Sequence, residues 1–115
     1  MKDPTITSAY AALYPILAEA ARKVGYALAI HGTMSRDLDV IAIPWIDDAV
    51  DADTVMNAIK DSCGAFLIEV SSNIGGIIRR DGRDPTIKPH GRVSYSLHLE
   101  AGAVIDLSIM PRVIL

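Results

Sequence analysis

The sequence predicts a single α/β domain, and three observations carry that prediction. Two stretches repeat apolar residues at steps of three and four, the spacing of one helix face. Several shorter stretches either run apolar or alternate apolar with polar, the patterns of buried and half-buried strands. The two kinds of pattern interleave along 115 residues, a length that suits one core. Half of the residues are apolar and only 5% are aromatic, so that core is mainly aliphatic.

The first helix is expected over residues 4–24. Asp3 is placed to cap it and Pro4 suits its first position. Ile6, Tyr10, Leu13, Leu17, Ala20 and Val24 form its apolar stripe, and Gly25 supplies the C-terminal stop. Residues 26–31 read as a strand. Residues 38–43 read as a second strand, apolar on both faces and hence central in a sheet, ended by Pro44. The acidic link from Asp47 to Asp53 offers caps for a second helix, from about residue 52 to Cys63, with Val55, Met56, Ile59 and Cys63 inward and Gly64 as terminator. Residues 65–70 read as a short strand. Residues 71–91 hold Gly75, Gly76, Gly82, Gly91, Pro85 and Pro89 and read as a long loop or irregular hairpin. From Arg92 to Leu99, Arg92, Ser94, Ser96 and His98 alternate with Val93, Tyr95, Leu97 and Leu99. After a tight turn at residues 100–102, Ala103, Ile105, Leu107 and Ile109 face one way on the last strand; Val104, Asp106, Ser108 and Met110 face the other. The resulting hairpin puts Asp106 and Ser108 on the same face as Ser94, Ser96 and His98.

Several function classes are disfavoured at once. A net charge of −3 argues against a coat of nucleic acid. Cys63 is the single cysteine, so no intrachain disulfide forms, which fits a reducing compartment. No basic start precedes a long apolar run, and no apolar run nears the roughly 20 residues that span a bilayer. The expectation is a cytoplasmic protein without a membrane anchor.

The chemistry concentrates between His31 and Ile43. A Gly32-Thr33 turn leads into Asp37 and Asp39, which share one face if the run that follows is a strand. Two carboxylates so close repel each other and are costly to bury alone, and a divalent cation is the usual compensation. The bland alternative makes Asp37 a turn cap and pairs Asp39 with Arg36 or Arg92. Asp106 sits between Ile105 and Leu107 in a strand expected to be paired on both sides, which metal ligation explains and a solvent-facing position would also allow. Five of the eleven basic residues lie between positions 79 and 92; of these Lys88 and Arg92, with His90, are the best placed to grip phosphate. A zinc site from His98, His90 and Asp106 lacks the usual ligand spacing. Trp45, just after Pro44, is expected as a lid on the core, with base stacking as the other reading.

The order of helix, strand, Gly-Thr turn, Asp-x-Asp strand, helix and later Asp-bearing strand resembles the nucleotidyltransferase superfamily typified by DNA polymerase beta and by minimal nucleotidyltransferases of toxin–antitoxin modules. The matching residues are Ile30 or His31, Gly32, Thr33, Asp37, Asp39 and Asp106, across roughly residues 5 to 110. The chain also looks like small phage-encoded proteins that pair an Arg-Asp-Leu-Asp strand (36–39) with a Lys-Pro-His-Gly-Arg segment (88–92) and an Asp-Leu-Ser strand (106–108). The family pattern has Ser where Thr33 stands, and a longer spacer before the first acid.

The resemblance implies one compact domain over residues 1–115, with a mixed, twisted sheet of four or five strands, two helices on one face and the acids on the other. It implies Asp37, Asp39 and Asp106 as catalytic residues and ligands of Mg²⁺ or Mn²⁺. Gly32, Thr33, Arg36, Lys88, His90 and Arg92 would bind a nucleoside triphosphate, with nucleotidyl transfer to a hydroxyl of a protein, an RNA or a small molecule. So small a chain leaves little surface to select the acceptor, hence the expectation of a homodimer or a partner protein; the apolar Val113-Ile114-Leu115 tail is a candidate contact. The alternative is a catalytically silent binding module or inhibitor that keeps the shape.

Overall fold

The computed structural model describes residues 4–71, 92–99 and 102–111. Its elements are α1 (Pro4–Lys23), β1 (Tyr26–His31), β2 (Asp37–Pro44), α2 (Ala52–Cys63), β3 (Phe66–Ser71), β4 (Val93–His98) and β5 (Val104–Ile109). They form a mixed sheet in the order β1-β2-β5-β4-β3, with β2 and β5 parallel and every other pair antiparallel. The α+β architecture with two helices and a mixed sheet is therefore the one expected. The basic segment with Lys88 and His90, the Asp3 cap and the Val113-Ile114-Leu115 tail lie outside the described residues.

Period-two alternation divides the sheet into a dry face and an open face. Leu38, Val40 and Ala42 of β2, Ile105, Leu107 and Ile109 of β5, and Tyr95 and Leu97 of β4 are buried. They pack with Tyr10, Leu17 and Ala21 of α1 and Val55, Met56 and Ile59 of α2 in one core. Each fully buried aliphatic side chain contributes roughly 1.5–3 kcal/mol. The helices pack against each other, α1 also against β1 and α2 against β4. On α1 the fully buried small residue is Ala21, while Ala20 is half-buried.

The tyrosine hydroxyls at the edge of the core are tied down, as hydroxyls taken from water must be. Tyr14 donates to the Leu28 carbonyl, Tyr26 to the Val50 carbonyl at 2.6 Å, and Tyr95 to Asp53 Oδ1 at 2.6 Å. Burial, and then the bond to Asp53, hold the Tyr95 proton far more tightly than usual. At the start of α2 the Asp51 carboxylate accepts from the Thr54 amide at 2.9 Å, and Gly64 ends the helix in the left-handed conformation.

Two expectations are corrected. β2 is central but fully buried on one face only: Ile41, on the other face, is half-buried and Ile43 is 42% exposed. Trp45 is no lid on the core, being 78% exposed just past the Pro44 end of β2.

Candidate functional site

The open face carries the acids, and strand register places them. In the β2/β5 ladder Asp39 lies directly beside Asp106, and Asp37 beside Val104. In the β1/β2 ladder His31 lies beside Asp39, and in the β4/β5 ladder Ser96 lies beside Asp106. Directly paired residues share a face, so His31, Asp39, Asp106 and Ser96 form one row across four strands, with Asp37 one pleat away. Asp106 comes from a part of the chain far from Asp37 and Asp39, and it points to their side of the sheet.

The three carboxylates are half-buried, and the negative charges of Asp37 and Asp39 act on Asp106. Asp106 has its pKa pushed up from the ordinary 3.8 to about 6. Burial is the largest cause, followed by the negative charge of Asp37, hydrogen bonding to Asp37 and Asp39, and the charge of Asp39. Among the described residues neither Arg36 nor Arg92 forms an ion pair with Asp39, so the bland salt-bridge reading of that residue is not realised. The same described residues contain no three acidic, histidine or cysteine side chains already set as a cation cage. The three carboxylates gather around Asp106 on this face. Their chemistry fits Mg²⁺ or Mn²⁺, hard cations that take carboxylate oxygens and keep several waters.

The turn before β2 shapes the mouth of the site. Gly32 adopts φ +79°, and a Cβ there would stand 3.0 Å from Asp39 Oδ2. A glycine thus lets the backbone approach the carboxylate closely. Met34 is also left-handed, at φ 56°. An open hollow of about 360 Å³ lies over the turn, lined by Thr33, Ser35, Arg36, Asp37 and Asp39. The Thr33 and Ser35 hydroxyls are 2.8 Å apart.

The structure therefore brings together Gly32, Thr33, Arg36, Asp37, Asp39 and Asp106. Arg92 shares the open face by strand parity but precedes Ser96 by four residues, roughly 13 Å along the strand from the level of Asp106. Among the described residues its Nε is buried and has no hydrogen-bond partner. His98 lies beside Val104, and its Nε2 is 3.1 Å from the Ser96 hydroxyl. Lys88 and His90 fall outside the described residues.

Ser35 and the placement of His31 beside Asp39 were not anticipated. Ser35 had a signal, a second hydroxyl two residues from Thr33 in the turn. The His31 pairing had none, because register between strands is not written in either strand alone. Comparison with protein-family models, with curated proteins and with solved structures finds no match for this chain.

Proposed function

We propose that the domain binds a nucleoside triphosphate with a divalent cation and transfers its nucleotidyl group to a hydroxyl. The observation that supports this reading is the meeting of Asp106 with Asp37 and Asp39 on the open face, next to a hollow edged by a glycine turn and two hydroxyls. Asp37, Asp39 and Asp106 would hold Mg²⁺ or Mn²⁺, which supplies charge neutralisation at the phosphate oxygens. Around them, Gly32 leaves room for the phosphates to approach Asp39, Thr33 and Ser35 offer hydroxyl donors, and Arg36 offers a cationic fork. Asp106, beside Asp39 in the ladder, would also help activate the incoming hydroxyl. The acceptor is a protein, RNA or small-molecule hydroxyl, selected with help from a second copy or a partner protein. Among the described residues no helix is long and apolar enough to cross a membrane.

The lack of a ready-made cation cage among the described residues favours a second reading, a catalytically silent module of the same shape that binds a host component. One experiment separates them. Thermal unfolding is followed with Mn²⁺ or Mg²⁺ and each of the common triphosphates, singly and together. Ligand at a hundred times its dissociation constant stabilises the folded state by about 2.7 kcal/mol. A metal-dependent upward shift with one or more triphosphates, absent in Asp39→Ala, supports transfer chemistry, and a labelled-triphosphate assay then tests turnover. No shift at millimolar ligand leaves the silent module.

A further inference from the structure

The acid-bearing strands meet at the end where their parallel ladder begins, and a side chain from α1 bridges them there. Tyr10 is 1% exposed. Its hydroxyl donates to the Arg36 carbonyl at 2.8 Å and accepts from the Val104 amide at 3.0 Å. Arg36 immediately precedes Asp37, and Val104 is two residues before Asp106. One oxygen atom thus spans the gap between the entry to β2 and the start of β5, where Asp37 and Val104 form the first pair of the ladder. A second tether lies one turn earlier on the helix, where the Thr7 hydroxyl reaches the Met34 carbonyl at 3.3 Å. The turn these bonds hold contains left-handed Met34, a conformation that needs outside support.

We propose that Tyr10 is a positioning residue, whose hydroxyl sets the separation between the strand ends that bring Asp37 and Asp39 against Asp106. The inference rests on the reading of these acids as the functional site. The Tyr10 hydroxyl acts through the backbone on either side of the carboxylates. Removing its hydroxyl leaves the Arg36 carbonyl without this donor and the Val104 amide without this acceptor, and frees the two strand ends to shift relative to each other. Partners that orient metal-holding groups typically change metal affinity by about 10–100-fold when removed.

The test compares Tyr10→Phe with Tyr14→Phe. Tyr14 also donates from α1 to a backbone carbonyl, that of Leu28, but on β1, which carries none of the three acids. Both substitutions delete one hydroxyl, so a purely structural role lowers the melting temperature in both and goes no further. Mn²⁺ affinity is measured by calorimetry on the folded proteins. The expected result is at least a tenfold weaker affinity in Tyr10→Phe and less than a twofold change in Tyr14→Phe. Equal affinities in the two variants overturn the proposal. If the unmodified chain binds no Mn²⁺, the metal reading fails, and the positioning role is decided by amide NMR spectra. Resonances of Asp37, Asp39 and Asp106 that move in Tyr10→Phe and stay in place in Tyr14→Phe uphold it, whereas resonances unmoved in both overturn it.

Discussion

Replacing Asp106 with asparagine removes one negative charge from the cluster while keeping the shape of the side chain and a donor toward Asp37 and Asp39. Folding raises the Asp106 pKa from 3.8 to about 6, through burial first and then its acidic neighbours. The folded state therefore keeps a proton that the unfolded chain gives up between those values. Where the native state binds more protons, stability falls as pH rises. The Asp106 contribution is thus fully favourable below about pH 4 and is lost as pH climbs through about 6. Each pKa unit is worth about 1.4 kcal/mol, which sets a ceiling of about 3 kcal/mol for the loss. Asp106 is only half-buried, and water and salt screen the repulsion, leaving about 1 kcal/mol. For a domain of this size that corresponds to roughly 3–6 °C in melting temperature. Urea unfolding of the two proteins from pH 4 to pH 8 measures the change in the acidic cluster, because the titration of groups remote from it is common to both and largely cancels. Asp106→Asn is expected to match the unmodified chain near pH 4 and to exceed it by about 1 kcal/mol above pH 7. A difference that stays flat across this range, or an asparagine variant that is the less stable at pH 8, would refute the convergence of the three carboxylates.

Two further outcomes follow from the same geometry. Gly32→Ala forces a left-handed alanine, costing roughly 1–2 kcal/mol, and brings a methyl group to 3.0 Å from Asp39 Oδ2. Gly64→Ala meets similar strain at φ +69° with nothing within 4 Å, so calorimetry should show Mn²⁺ binding weakened in the first variant and unchanged in the second. Trp45 is the single tryptophan and 78% exposed, so its fluorescence should peak at the long wavelength of indole in water, and Trp45→Ser should shift stability by less than about 0.5 kcal/mol in chemical denaturation.

Periodicity alone determined most of the secondary structure. The bounds of α2 and β1 match their expected ranges, and α1, β2, β3, β4 and β5 differ by one residue at one or both ends. These elements were legible because the face a residue occupies follows from the helical period of 3.6 or the strand period of 2, and apolar residues mark that face. The same local rule placed Asp37 with Asp39, and Asp106 with Ser108, each pair on one face of its own strand. Trp45 escaped it because burial at a strand exit depends on what packs over that end, a matter of the whole fold.

Which strands are neighbours, and in what register, was decided only by tertiary structure. A strand carries a hydrophobic face but not the identity of its partner, and a one-residue slip would have turned Asp106 into the core. The parallel pairing of β2 with β5 sets Asp39 beside Asp106, the β1 hairpin adds His31 to that row, and Tyr10 reaches from α1 to both strand ends. Contacts between distant segments depend on the joint packing of every element, so the sequence could name the acids while only the fold could bring them together.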